Sequence, residues 1–82
     1  GSSMTDVGIH DGDLLIVDRS ILPQDKQIVI AIVNGEFTVK RLRKTATKVF
    51  LQAENSEFSS IEIKAEDQLE IWGIVTYVIH KL

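Results

Sequence analysis

Ser3, at the start of a predicted short helical turn, and Lys40, on a predicted strand, are of residue types that could form a serine-based catalytic pair. A serine hydroxyl becomes a nucleophile when a neighbouring base takes its proton, and a neutral lysine amine can be that base. Burial favours the neutral amine, because removal from water disfavours the charged form. Each residue also has a plainer interpretation. Ser3 is placed to N-cap a short helical turn that Gly8 would end, and Lys40 resembles a strand lysine whose ammonium reaches water.

The hairpin that must carry Lys40 is marked by Asn34-Gly35, which stands between two apolar runs. This dipeptide predicts a type I′ turn, in which both central residues have positive φ. The first arm, Ile28–Val33, is apolar on both faces and is typical of a central strand. In the second arm, alternation places Lys40 on the same face as its uncharged neighbours Thr38 and Leu42.

The rest of the pattern predicts a mostly β protein, a compact small β-domain of about six short strands with one short helical turn. Residues 1–82 show no linker and no repeat, so we expect a single domain. The apolar run Leu14–Val17 is consistent with a buried strand. Gly73, within the long apolar segment Leu69–His80, indicates a bulge or a close backbone approach. In that segment simple alternation groups four residues on one face: Ile71, Val75, Tyr77 and Ile79.

Composition excludes several classes of function. The 82 residues carry a net charge of −3, which argues against direct nucleic-acid binding by a basic surface. The absence of cysteine rules out thiolate chemistry, and the isolated His10 and His80 suggest neither a metal nor another cofactor. No apolar run approaches the ~20 residues of a membrane span, so we expect no membrane association.

Three ordered stretches resemble the C-terminal domain shared by LexA-type repressors and UmuD-type proteins of the bacterial SOS response: Ser3-Met4, Gly8–Asp18 and Gly35–Leu42. Glu54–Phe58 also resembles a loop of LexA-like members. The segments Asp11–Asp18 and Gly35–Leu42 look closest to UmuD.

The resemblance implies a LexA/signal-peptidase-like fold and a Ser-Lys dyad that needs no cofactor. By motif, Ser3 is the nucleophile, Lys40 is the general base, and backbone N–H groups around Ser2 and Ser3 hold the oxyanion. The implied reaction is hydrolysis of one peptide bond of the protein's own chain. The family cleaves an Ala-Gly or Cys-Gly bond, and neither dipeptide occurs here. We therefore expect this chain to lack the N-terminal arm and the cleavage segment.

The resemblance also implies partners and a setting. A RecA–single-stranded DNA filament would stimulate cleavage, and the product would dimerise and serve an error-prone polymerase in translesion synthesis in the bacterial cytoplasm. The terminal strand would form the dimer surface through four residues: Trp72, Val75, Tyr77 and Val78. The alternative function is a non-enzymatic one, the dimerisation and regulatory domain of a LexA-like or phage-type repressor.

Overall fold

The computed structural model describes residues 3–55 and 57–82, and its strands form one antiparallel sheet. A 3-10 turn over Thr5–Val7 precedes six strands: β1 Leu14–Asp18, β2 Ile28–Val33, β3 Glu36–Lys44, β4 Val49–Gln52, β5 Ile61–Ile63 and β6 Leu69–Ile79. Their order across the sheet is β1-β6-β2-β3-β4-β5. The predicted mostly β architecture, with about six strands and one helical turn, is confirmed.

The β2–β3 hairpin fixes the position of Lys40. Asn34 and Gly35 have φ values of 50° and 86°, as the predicted turn requires. The resulting register pairs Lys40 with Val29 and Thr38 with Ala31. β2 lies between β6 and β3, which confirms that it is a central strand.

The core lies on the face of the sheet to which Lys40 belongs. Its buried members are Val29, Ala31, Leu42, Leu51 and Ile74. Leu42 stands two residues after Lys40 on β3 and pairs with Leu51 of β4. Because side chains alternate along a strand, Lys40 shares this face with Leu42, and it is half-buried at the margin of the cluster.

β6 runs between β1 and β2 and is interrupted by two bulges. One follows Ile71, where Trp72 is the additional residue, and it lies beside Gly73. A Cβ on Gly73 would clash with Cγ1 of Val17, so the structure has both the bulge and the close approach that this glycine indicated as alternatives. The predicted alternation along β6 is wrong. Ile71 packs against the core cluster that contains Ile74, because the bulge resets the side-chain parity.

β1 differs from the predicted buried strand. It is an edge strand that pairs with β6, and Leu14 and Ile16 are 65% and 47% exposed. Leu14 stands opposite Ile79, and Ile16 stands opposite Tyr77, which is also exposed. The apolar run is half-buried, through Leu15 and Val17, because an edge strand lacks the cover that a central strand receives.

Among residues 3–55 and 57–82, no helix is long and apolar enough to cross a membrane.

Candidate active site

Ser3 stands at the start of the short turn that precedes β1. The next residue, Met4, is only 3% exposed and occupies the N-cap position of the 3-10 turn. The turn ends at Gly8, which has φ of 81° and donates its N–H to the Thr5 carbonyl. No side chain caps the turn, so the N-cap interpretation of Ser3 is wrong. The Ser3 hydroxyl has a different partner.

That partner is Lys40. Its Nζ donates a hydrogen bond to Ser3 Oγ at 2.8 Å, across 37 residues of sequence. The same Nζ also donates to Thr38 Oγ1 at 2.8 Å and to the Val39 carbonyl at 3.2 Å. The structure thus brings together the two residues that sequence singled out, and it directs the lysine end group towards protein oxygens.

Partial burial shifts Lys40 towards its neutral form. Burial lowers the pKa of the Lys40 amine below that of an ordinary lysine, because the charged form loses hydration. A neutral amine has two N–H donors and one lone pair. Thr38 Oγ1 and the Val39 carbonyl can accept the two N–H groups, which leaves the lone pair for the Ser3 hydroxyl proton. The 2.8 Å separation of Lys40 Nζ and Ser3 Oγ suits a hydrogen bond donated by either the amine or the hydroxyl.

Two open grooves meet at this pair, with volumes of about 540 and 710 Å³. Ser3, Phe37, Thr38 and Lys40 line both grooves. The first groove continues along residues 9–13. The second continues along apolar side chains that include Leu51, Phe58 and Ile61. Ser3 is therefore accessible from both grooves.

Arg41 is more than the surface charge that its position at a strand end suggests. Its Nε forms an ion pair with Glu54 Oε1, and its Nη1 donates to the Lys26 carbonyl at 2.6 Å. Glu54 in turn accepts the Asp6 N–H on its backbone carbonyl at 2.7 Å. Neither contact has a local sequence signal, because both join segments that are distant in the chain. The nearest hint is the LexA-like resemblance of the loop that begins at Glu54.

The remaining candidate residues are distributed as follows. Ser2 lies outside the described residues, so the oxyanion assignment to Ser2 and Ser3 stays a prediction. Trp72 contacts Phe37 edge to face, with 6.2 Å between ring centroids, and its ring lies 4.1 Å from the Arg19 guanidinium. Val75 and Val78 are half-buried, whereas Tyr77 is 71% exposed. The dimer surface also stays a prediction.

His10 and His80 are brought together although they are distant in sequence. Their ring centroids are 5.7 Å apart, and His80 Nδ1 lies 2.9 Å from Asp13 Oδ2. The His10 backbone N–H, followed by the His80 side chain, holds the pKa of Asp13 below its usual range. Within the described ranges, no group of three or more His, Cys, Asp and Glu side chains is arranged to hold a metal ion.

A serine and a lysine hydrogen-bonded at the margin of a β-sheet core, and open to two grooves, make up a candidate Ser-Lys peptidase site. The chain belongs to the Peptidase S24-like family, whose model matches residues 1–76. This confirms the resemblance to LexA-type and UmuD-type proteins.

Individual relatives are LexA repressors. The chain is 49% identical over 80 residues to the LexA repressor of Aliivibrio fischeri strain MJ11, covering 96% of this chain and 38% of the relative. It is 48% identical over 80 residues to that of Shewanella piezotolerans, covering 96% and 39%. It is 45% identical over 82 residues to that of Pseudomonas chlororaphis, covering 99% and 41%. The chain thus spans about two fifths of these relatives. They support a LexA-like assignment and not the closer likeness to UmuD.

Proposed function

We propose that this chain is the self-cleaving peptidase domain of a LexA-type repressor, with Ser3 as nucleophile and Lys40 as general base. The observation that carries the proposal is the 2.8 Å contact between Lys40 Nζ and Ser3 Oγ in a partly buried setting. Membership of the Peptidase S24-like family and the LexA relatives support it.

The first half of the reaction forms an acyl-enzyme. Neutral Lys40 takes the hydroxyl proton of Ser3 while Oγ attacks the carbonyl carbon of the peptide bond, and the carbonyl π electrons move onto oxygen. The oxyanion is held by backbone N–H groups, which we assign to Ser2 and Ser3. When the carbonyl re-forms, the C–N bond breaks, and the Lys40 ammonium gives its proton to the leaving amine.

The second half restores the enzyme. Water attacks the ester carbonyl and gives a proton to neutral Lys40. Collapse of the second tetrahedral intermediate breaks the bond between Ser3 Oγ and the carbonyl carbon, and the lysine proton returns to Oγ. The net change is hydrolysis of one peptide bond, and Lys40 acts as base and acid in turn.

The test is self-cleavage of the full-length protein that contains this chain. Ser3→Ala removes the nucleophile and Lys40→Ala removes the base, so each variant should lose cleavage. Ser20→Ala is the matched control, because Ser20 lies on the β1–β2 loop and bonds to Asp18. Cleavage at the normal rate by either dyad variant would contradict the assignment.

Regulation and assembly follow from the same family resemblance. We assign stimulation of cleavage to a RecA–single-stranded DNA filament in the bacterial cytoplasm, and we propose a homodimer of this single domain. The exposed cross-strand pairs Leu14 with Ile79 and Ile16 with Tyr77 support an apolar contact surface. Sedimentation at micromolar concentration should give a dimer that Tyr77→Lys weakens. A monomer at all concentrations would contradict the proposed homodimer.

A second candidate function is that of a UmuD-like polymerase accessory protein. It is favoured by the resemblance of Asp11–Asp18 and Gly35–Leu42 to UmuD. The LexA relatives favour the repressor instead. A pull-down of an error-prone polymerase by the cleaved product would support it. Binding of the full-length protein to operator DNA, lost on cleavage, would support the repressor.

A further inference from the structure

The turn that carries Ser3 has little rigidity of its own. It consists of a 3-10 turn of 3 residues, closed by weak local bonds such as Val7 N–H to the Met4 carbonyl at 3.3 Å. Short 3-10 segments have poorer hydrogen-bond geometry than α-helices and are not stable alone. Lys40, by contrast, lies on a paired strand. The distance between nucleophile and base must therefore be set by whatever fastens the turn to the sheet.

The segment after β4 supplies that attachment. The Asp6 N–H donates to the Glu54 carbonyl at 2.7 Å, and Asn55 Nδ2 donates to Thr5 Oγ1 at 3.1 Å. Two consecutive residues of this segment thus hold two consecutive residues of the turn. Both bonds lie within three residues of Ser3, so a displacement of the Glu54–Asn55 segment would move the serine.

The Glu54 side chain connects this segment to the strand that carries the base. It pairs with Arg41, the residue directly after Lys40, and Arg41 is also fixed by the Lys26 carbonyl. The side chains of Arg41 and Glu54 are 26% and 20% exposed. Fully exposed ion pairs contribute little to stability, but a partly covered pair with a fixed partner geometry can define a position.

We propose that Arg41 and Glu54 are positioning residues that set the separation of Ser3 and Lys40. This inference rests on the proposed peptidase function. Three links connect the base to the nucleophile. Lys40 is followed in the chain by Arg41, which forms an ion pair with Glu54. The Glu54 carbonyl accepts a hydrogen bond from Asp6, which belongs to the turn that carries Ser3. Loss of the ion pair would leave the turn bonded to the Glu54–Asn55 segment but would let that segment shift relative to β3, while Lys40 stays on its strand.

The test compares variants of the full-length protein by three measurements: self-cleavage rate, the rate of Ser3 modification by a fluorophosphonate probe, and the midpoint of urea unfolding. Arg41→Gln should slow cleavage and labelling about tenfold, a loss typical of one charge-assisted hydrogen bond. Arg41→Lys keeps the charge and should recover most of the rate. The double variant Arg41→Gln/Glu54→Gln should be no slower than either single variant.

Arg43→Gln is the matched control. Arg43 lies on the same strand and the same side as Arg41, and it pairs with Asp25, away from the turn. It should leave cleavage and labelling unchanged. The inference is overturned if Arg41→Gln is as fast as Arg43→Gln, or if its losses only follow a lowered urea midpoint and add to those of Glu54→Gln. Failure of the proposed function gives a different result, namely cleavage or labelling that survives Ser3→Ala.

Discussion

Thr38 Oγ1 and Ser3 Oγ lie at the same distance from Lys40 Nζ, 2.8 Å each. The threonine stands two residues before the lysine on the same face of β3, so its hydroxyl meets the amine without any change of register. It accepts one N–H of the amine and thereby limits rotation of the end group. When the amine is neutral and its second N–H is directed to the Val39 carbonyl, the lysine lone pair is left for the serine.

Thr38→Val should therefore slow self-cleavage while the protein stays folded. Valine has nearly the same shape but cannot accept the hydrogen bond, and a neutral hydrogen bond worth about 1 kcal/mol corresponds to roughly fivefold in rate. Single-turnover cleavage of the full-length protein measures the effect. Thr76→Val is the control, because Thr76 bonds to the Ile16 carbonyl on the far side of β6. Equal rates for the two variants would show that Thr38 does not orient the amine.

The rate of self-cleavage should rise with pH. Burial lowers the pKa of Lys40, yet below that pKa most molecules carry the ammonium, which has no lone pair to take the serine proton. The rate should increase about tenfold per pH unit and level off once Lys40 is neutral. The midpoint should lie below the value of a free lysine side chain. A flat profile between about pH 7 and pH 10 would argue against lysine as the base.

Stability should change with pH through the same group. The folded protein has the lower Lys40 pKa, so between that pKa and the ordinary lysine value it binds fewer protons than the unfolded chain. The free energy of unfolding should consequently rise as pH increases through this window, because the cost of burying the ammonium is removed. Urea unfolding across the alkaline range measures it. Lys40→Met should remove the rise, and Lys48→Met, at an exposed position, should keep it.

Gly73→Ala should destabilise the fold by about 1–3 kcal/mol, the usual cost of overpacking. The added methyl would clash with Val17 Cγ1, where two strands already touch. In the double variant with Val17→Ala the two costs should sum to less than their separate values, as thermal unfolding would show. Gly35→Ala makes no such contact and should cost about 1 kcal/mol through its positive φ alone, independently of Val17.

Sequence predicts those parts of the molecule that depend on local chemistry. Asn34-Gly35 fixes a two-residue turn, and the hairpin arms, the central position of β2 and the bulge beside Gly73 follow from it or from equally local signals. The predicted alternation fails along β6, because the extra residue of each bulge reverses the face to which the following side chains point. The position of a bulge depends on the pairing with the neighbouring strand, which the sequence of β6 alone does not show.

Within the site, only the residues that belong to the family-like motifs could be predicted from the sequence. Ser3 and Lys40 are recognisable through the stretches that resemble a known family, and their approach is then a consequence of the fold. The N-cap interpretation of Ser3 failed because local spacing cannot show that a lysine 37 residues away competes for the hydroxyl. Arg41 and Glu54 were missed for the same reason: a charged pair across 13 residues and a loop has no periodic signature.

Lys40 and Arg41 are adjacent basic residues whose side chains the pleat of β3 sends to opposite sides. The two-residue turn at Asn34-Gly35 pins the register that decides which of them shares a face with Val29 and the core. A slip of one residue would exchange them. The side towards Ser3 would then hold a guanidinium, which stays charged at any ordinary pH, in place of an amine that can give up its proton. A turn five residues before the lysine, built from backbone torsions alone, thus determines whether a proton acceptor exists beside the serine.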